Sequence, residues 1–125
     1  MPVRDGNGKA AFGRSGEALA CRHLEQSGHA IAARNWRCRL GEIDIVAFDG
    51  KTVVFVEVRT RRSPGRFGTP AESVDARKKA RLRRLAQAWL MANGLDGETP
   101  VRFDVFDIRR TDGGQTQIRH IRDAF

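Results

Sequence analysis

Hydrophobic and polar positions alternate most regularly between Gly41 and Arg62, where the chain reads GEIDIVAFDGKTVVFVEVRTRR. Two β-branched runs joined by Asp49-Gly50 predict a β-hairpin. With those two residues as the turn, Phe48 faces Lys51, Val46 faces Val53 and Asp44 faces Phe55. Side chains alternate across a strand, so one face carries Ile43, Ile45, Ala47, Thr52, Val54, Val56 and Val58. The other carries Val46, Phe48, Val53 and Phe55 near the turn, then Glu42, Asp44, Glu57 and Arg59 at the open end. Upstream, the pattern from Ala10 to Ser27 is helical, with Gly28 placed as a left-handed cap, and His29–Arg37 reads as a short strand. Downstream, Ser63–Pro70 (SPGRFGTP) reads as a loop. Ala71–Asn93 is a second helix with Val74, Leu82, Leu85, Ala86, Trp89 and Leu90 at helical spacing. Val101–Arg110 alternates as a strand, Asp112-Gly113-Gly114 turns, and Thr116–Ile121 forms an edge strand. The order of helix, three strands, helix and two strands predicts a mixed α/β sheet in two or three layers, the second helix joining strands across it.

At 125 residues and 40% hydrophobic composition, the chain is long enough for one domain with its own core. Residues 1–9 are expected to be a flexible arm and residues 10–125 the domain. A formal net charge of +8 attracts polyanions, nucleic acid first among them, with an anionic membrane or an acidic protein behind. No apolar run approaches the roughly 20 residues of a membrane span, and the basic first residues lead into no hydrophobic stretch, so a secretory signal is not expected. Cys21 and Cys38 are too few for a disulfide framework and fit a cytoplasmic protein with reduced thiols. His23, His29 and His120 lack ligand spacing, so they read as structural or surface residues rather than a zinc site.

Charges seldom sit among core-type residues unless paired or bound to metal, which makes the open end of the hairpin the place to look for chemistry. Asp44 and Glu57 are spaced there as diagonal neighbours, suited to converge on one divalent ion such as Mg²⁺ or Mn²⁺. Arg59 follows on the same face, where a cation beside a metal can bind phosphate. The alternative is a ladder of ion pairs between Glu57 and Arg59 or Arg61. Glu17 shares a helical stripe with Ala20, Cys21 and Leu24. It either adds a third acid to the pair, or complements the helix dipole or pairs with Arg14. From Arg77 to Arg84 the chain reads RKKARLRR: Arg77, Lys78, Lys79, Arg81, Arg83 and Arg84, with no acid between them. That is a phosphate-binding helix or a solvated face. A membrane surface fits less well, since Trp89 belongs to the core side.

Taken together, Asp44, Glu57-Val58-Arg59 and Glu17 resemble the PD-(D/E)xK nuclease superfamily, and its Holliday-junction resolvase branch most. More closely, GRSGEALA at 13–20, ARNWRCRLGEIDIVA at 33–47, FVEVRTR at 55–61, the FGTP loop, the basic helix, RFDV at 102–105 and Ala124-Phe125 resemble the YraN family (uncharacterised protein family 0102). The resemblance implies a restriction-endonuclease-like α/β fold, a central mixed sheet of about five strands flanked by helices. It also implies Asp44 and Glu57 as metal ligands, Glu17 as an added acid and position 59 as the catalytic cation. The superfamily usually has lysine where Arg59 stands; arginine stays protonated and cannot act as a general base. The expected function is a divalent-metal-dependent endonuclease acting on DNA, branched or damaged DNA included, in which Arg61, Arg66 and the 77–84 helix hold the backbone. Its rival is a nucleic-acid-binding module that keeps the fold without turnover. Resolvases of this fold act as dimers, so the resemblance also implies a homodimer.

Overall fold

The computed structural model describes residues 8–62, 76–111 and 113–125. Its elements are α1 (Gly8–Gln26), β1 (Ala30–Cys38), β2 (Gly41–Asp49), β3 (Thr52–Arg62), α2 (Ala76–Ala92), β4 (Val101–Arg110) and β5 (Thr116–Ile121). The helix begins at Gly8, so residues 8 and 9 belong to it rather than to an arm. Residues 1–7, the 63–70 loop with Arg66, the predicted helical residues 71–75 and Asp112 lie outside the described residues.

Both helices end where their glycines dictate. Gly28 takes φ +90°, its N–H donates to Glu25 and the His29 N–H donates to Leu24 O at 2.9 Å. Gly94 repeats the arrangement at φ +71°, with the Leu95 N–H on Leu90 O. These are Schellman closures, which satisfy carbonyls that a helix end otherwise leaves without partners.

The five strands form one sheet in chain order, β1 to β5. Neighbours are antiparallel except β3 and β4, which run parallel with α2 as the crossover between them. The helices cover opposite faces. Leu82, Leu85, Ala86, Trp89 and Leu90 of α2 pack on Ile43, Val46, Val53, Phe55 and Phe103. Ala20, Cys21 and Leu24 of α1 pack on Ile45, Ala47, Val54, Val56, Phe106 and Ile108. The result is a three-layer α/β/α domain, and both cysteines are free thiols.

The hairpin differs from its predicted form in two ways. Asp49 pairs with Thr52 and Phe48 with Val53, so the turn is Gly50-Lys51 and the register moves by two residues. Gly50 adopts φ +61°, the conformation a type II′ turn needs at its first central position. A shift of two leaves the faces near the turn unchanged, but it puts Phe55 opposite Val46 rather than opposite Asp44.

The second difference lies at the open end. Ile43 joins the α2 side, whereas Ile45 and Ala47 face α1, so the alternation slips between Ile43 and Ile45. On the adjoining strand, Arg34 pairs with Ile45 and Trp36 with Ile43. Between them Asn35 adopts φ +53°, a left-handed conformation that asparagine tolerates better than most residues. Asn35 therefore stands beside Asp44 at the point where both strands exchange faces. Asn35→Val should cost about 1–2 kcal/mol through this conformation, while Asn35→Gly stays near wild type. Thermal melts of the two variants check it, and equal stability would show that the backbone there is unstrained.

Candidate metal and phosphate site

The β2–β3 ladder ends at Ile45 and Val56, and Asp44 occupies the gap beyond it. Its Oδ2 accepts a 2.8 Å hydrogen bond from the Val58 N–H, so the carboxylate stands in for the next rung of the sheet. Asp44 lies just beyond the last rung of that ladder, near enough for the Glu57 charge to act on its carboxyl. Burial pushes the Asp44 carboxyl up to about 7, and the charges of Glu57, Glu17 and Glu42 push the same way, against the opposing Val58 hydrogen bond.

Glu57 projects from β3 on the α2 side and is 14% exposed. Lys78 Nζ of α2 lies 2.7 Å from Glu57 Oε2, and Arg59 Nη2 lies 3.9 Å from the same oxygen. Alternation along β3 sets Arg61 on this side too. The expected Glu57–Arg59 pair is thus the looser of the two contacts. Glu17 comes from the other layer. Gly16 makes this possible, because a Cβ there would collide with the Thr60 methyl of β3; only glycine lets α1 lie so close at that point. Glu17 is near enough to act on both Asp44 and Cys21. The acids therefore wrap around the end of the β2–β3 seam, Glu17 from the α1 layer and Glu57 from the α2 layer, rather than lining one sheet face.

The basic run splits into two groups. Arg77, Lys78, Arg81 and Arg84 line a cavity of about 410 Å³, and through Lys78 that cavity adjoins Glu57. Lys79 and Arg83 turn aside to the ring of Phe125, at 5.8 and 5.7 Å from its centroid. Phe125 stacks on Phe103, which stacks on Phe55, so these two cations also help close the core edge through cation–π contact.

Among the described residues no group of three or more His, Cys, Asp or Glu side chains is arranged as a metal cage. Asp44 and Glu57 instead offer oxygen donors alone, suited to Mg²⁺ or Mn²⁺, ions that keep several waters and take one or two protein carboxylates together with substrate phosphate. A raised Asp44 carboxyl amid other acids also marks a place where added positive charge is favourable.

The three histidines come together at the opposite end of the sheet, on the α1 side. Asp104 is fully buried. It accepts hydrogen bonds from Arg102 Nε and Nη2 at 2.9 Å each, pairs with His120 Nε2 at 2.7 Å, and accepts the Asp123 N–H at 3.0 Å. Arg102 also reaches Asp49 Oδ2 at 2.8 Å and His29 Nε2 at 3.1 Å. Burial holds the His29 imidazole below its usual range. The RF-D pattern at 102–104 was visible in the sequence, but the pairing of residues so far apart along the chain was not.

The fold and this site define a small α/β protein with acidic side chains at one seam of its sheet and a cation-lined cavity alongside. The chain belongs to the Uncharacterised protein family UPF0102, whose pattern matches residues 16–108. It is 53% identical to a UPF0102 protein of Acidothermus cellulolyticus over 94% of this chain and 95% of the relative. It is also 51% identical to one of Frankia alni, over 94% and 96%, and 49% identical to one of Nocardia farcinica, over 94% and 91%. No helix among the described residues is long and apolar enough to cross a membrane.

Proposed function

We propose that the protein is a divalent-metal-dependent endonuclease of the cytoplasm that binds DNA and hydrolyses its phosphodiesters, with branched or damaged DNA among its candidate substrates. The observation that carries this reading is the partly buried Asp44, its carboxyl raised to about 7 among Glu57, Glu17 and Glu42, beside a cavity lined by four cations. Concentrated negative charge there calls for a cation, and the adjoining positive charge calls for phosphate. Asp44 and Glu57 would hold Mg²⁺ or Mn²⁺. Such an ion supplies Lewis-acid stabilisation of phosphoryl charge and makes water a stronger nucleophile. Glu17 adds to the negative field that draws it in. Arg59, next to Glu57, would bind the non-bridging oxygens of the scissile phosphate and stabilise the charge developing on them. It cannot take a proton from water. Arg77, Arg81 and Arg84 would hold neighbouring phosphates, with Arg61 contributing from the same end of the sheet and Arg66 a further candidate on sequence grounds. A homodimer would present two such sites to one substrate.

Arg59 also favours a second reading, a nucleic-acid-binding module without turnover. A panel of duplex, single-stranded and junction DNAs, incubated with Mg²⁺ or Mn²⁺, separates the two. Cleavage by wild type and none by Asp44→Ala supports the enzyme. Cleavage only by Arg59→Lys, which restores an amine able to lose a proton, makes the natural chain a binding module. Replacing Arg77, Arg81 and Arg84 with glutamine should lower the slope of log affinity against log salt by about 0.9 per lost phosphate contact on duplex DNA. An unchanged slope would remove nucleic acid from both readings.

A further inference from the structure

Lys78 belongs to two places at once. Its ammonium contacts Glu57 Oε2 at 2.7 Å, and the same residue helps line the cavity shared with Arg77, Arg81 and Arg84. Lys78 is 30% exposed and Glu57 14% exposed, so the contact is made with much of the surrounding water removed, where charge pairing counts for more than on an open surface. Among the described cations that line the cavity, Lys78 alone forms an ion pair with an acid of the seam. Resting on the metal-centre reading above, we infer that Lys78 is a coupling residue, an ammonium that stands in for the divalent ion at Glu57 and moves to DNA phosphate when that ion enters.

The physical reason is competition for one oxygen. Glu57 Oε2 cannot hold the Lys78 ammonium and a dication at full strength together, because the two positive charges would repel across it. A lysine suits the exchange: its flexible four-carbon stem carries a compact charge, and phosphate is the nearest other anion for it in a cation-lined cavity. Metal entry therefore raises the affinity for DNA by more than the added charge alone, and DNA raises the affinity for metal by the same factor, since coupling between two bound ligands is reciprocal. Arg81 lines the same cavity and forms no ion pair with Glu57, so it serves as the charge-matched control.

The test uses the full chain, with calorimetric Mn²⁺ titration of wild type, Lys78→Gln, Lys78→Arg, Arg81→Gln and Asp44→Asn, each shown by circular dichroism to be folded. Lys78→Gln should bind Mn²⁺ about fivefold or more tighter than Arg81→Gln does, the lower end of usual coupling strengths. Lys78→Arg keeps the charge at Glu57 and should stay near wild type. In fluorescence anisotropy with a labelled duplex, adding Ca²⁺ should tighten binding by wild type and Arg81→Gln, and that gain should shrink in Lys78→Gln. If Lys78→Gln matches Arg81→Gln in both assays while Asp44→Asn loses Mn²⁺, the coupling is wrong and the metal centre stands. If wild type gives no Mn²⁺ binding, or Asp44→Asn binds it equally well, the metal centre falls and the coupling with it.

Discussion

Asp44→Asn should make the metal-free protein more stable at pH 8 while removing any cleavage and Mn²⁺ binding. The folded carboxyl titrates near 7 against an ordinary value of 3.8. Ionisation is therefore easier in the unfolded chain, and wild-type stability falls as pH rises from about 4 to about 7. The shift corresponds to a loss of up to about 4 kcal/mol. Asparagine does not titrate and can still accept the Val58 N–H, so it escapes this loss. Denaturant unfolding across pH 3–9 should show the two proteins diverging upward from pH 4 and running parallel above 7. Saturating Mn²⁺ should close the gap by stabilising wild type alone. A gap that is constant with pH would mean that Asp44 is not held protonated by its surroundings.

Asp104→Ala should be the most destabilising substitution at the other end of the sheet, by about 3–5 kcal/mol, because it strands Arg102 and His120 beside a buried void. Burial alone would raise the Asp104 carboxyl, but hydrogen bonds from His120, Arg102 and the Asp123 backbone outweigh it and hold the group at about 2. Its contribution is therefore present above the ordinary aspartate range and is lost as pH falls from about 4 toward 2. Asp104→Asn keeps one oxygen acceptor and should fall between alanine and wild type. The readout is the unfolding free energy at pH 7 and again near pH 2.5, where the difference between Asp104→Asn and wild type should narrow. A loss below about 1 kcal/mol for alanine would mean that the ring contacts of His120 with Phe106 and His23 hold this corner without the carboxylate.

Much of the architecture could be read from local chemistry. Gly28 and Gly94 announced the helix ends, and β4 and β5 followed from alternation in Val101–Arg110 and Thr116–Ile121. What escaped were features set by backbone conformations that few residues reach. The register of the hairpin turned on whether Gly50 stood first or second in the turn, a choice that leaves the alternating pattern almost unchanged. The face exchange at Asp44 depended on Asn35, one asparagine in a polar stretch with no partner to mark it until β1 lay against β2. The acids at the seam and the basic helix were legible as separate clusters. Their junction through Lys78 was not, because helical spacing gives no weight to one cation over its neighbours. The ionic corner around Asp104 joins residues from His29 to Asp123, a span over which sequence pattern carries no contact information.

The irregularity of β1 has a consequence beyond the site. β1 is an edge strand of the sheet, and an edge with a flat row of unpaired N–H and C=O groups invites another chain to add a strand. Here the row is broken twice, by the register shift between Ile31 and Ala33 and by the positive φ of Asn35. The exposed Arg34 and Arg37 flank the second break. A neighbouring strand laid along β1 would lose its hydrogen bonds within a few residues and meet like charge if it came from a second copy. The kink that turns Asp44 into the seam thus also blunts the β1 edge against the addition of another strand.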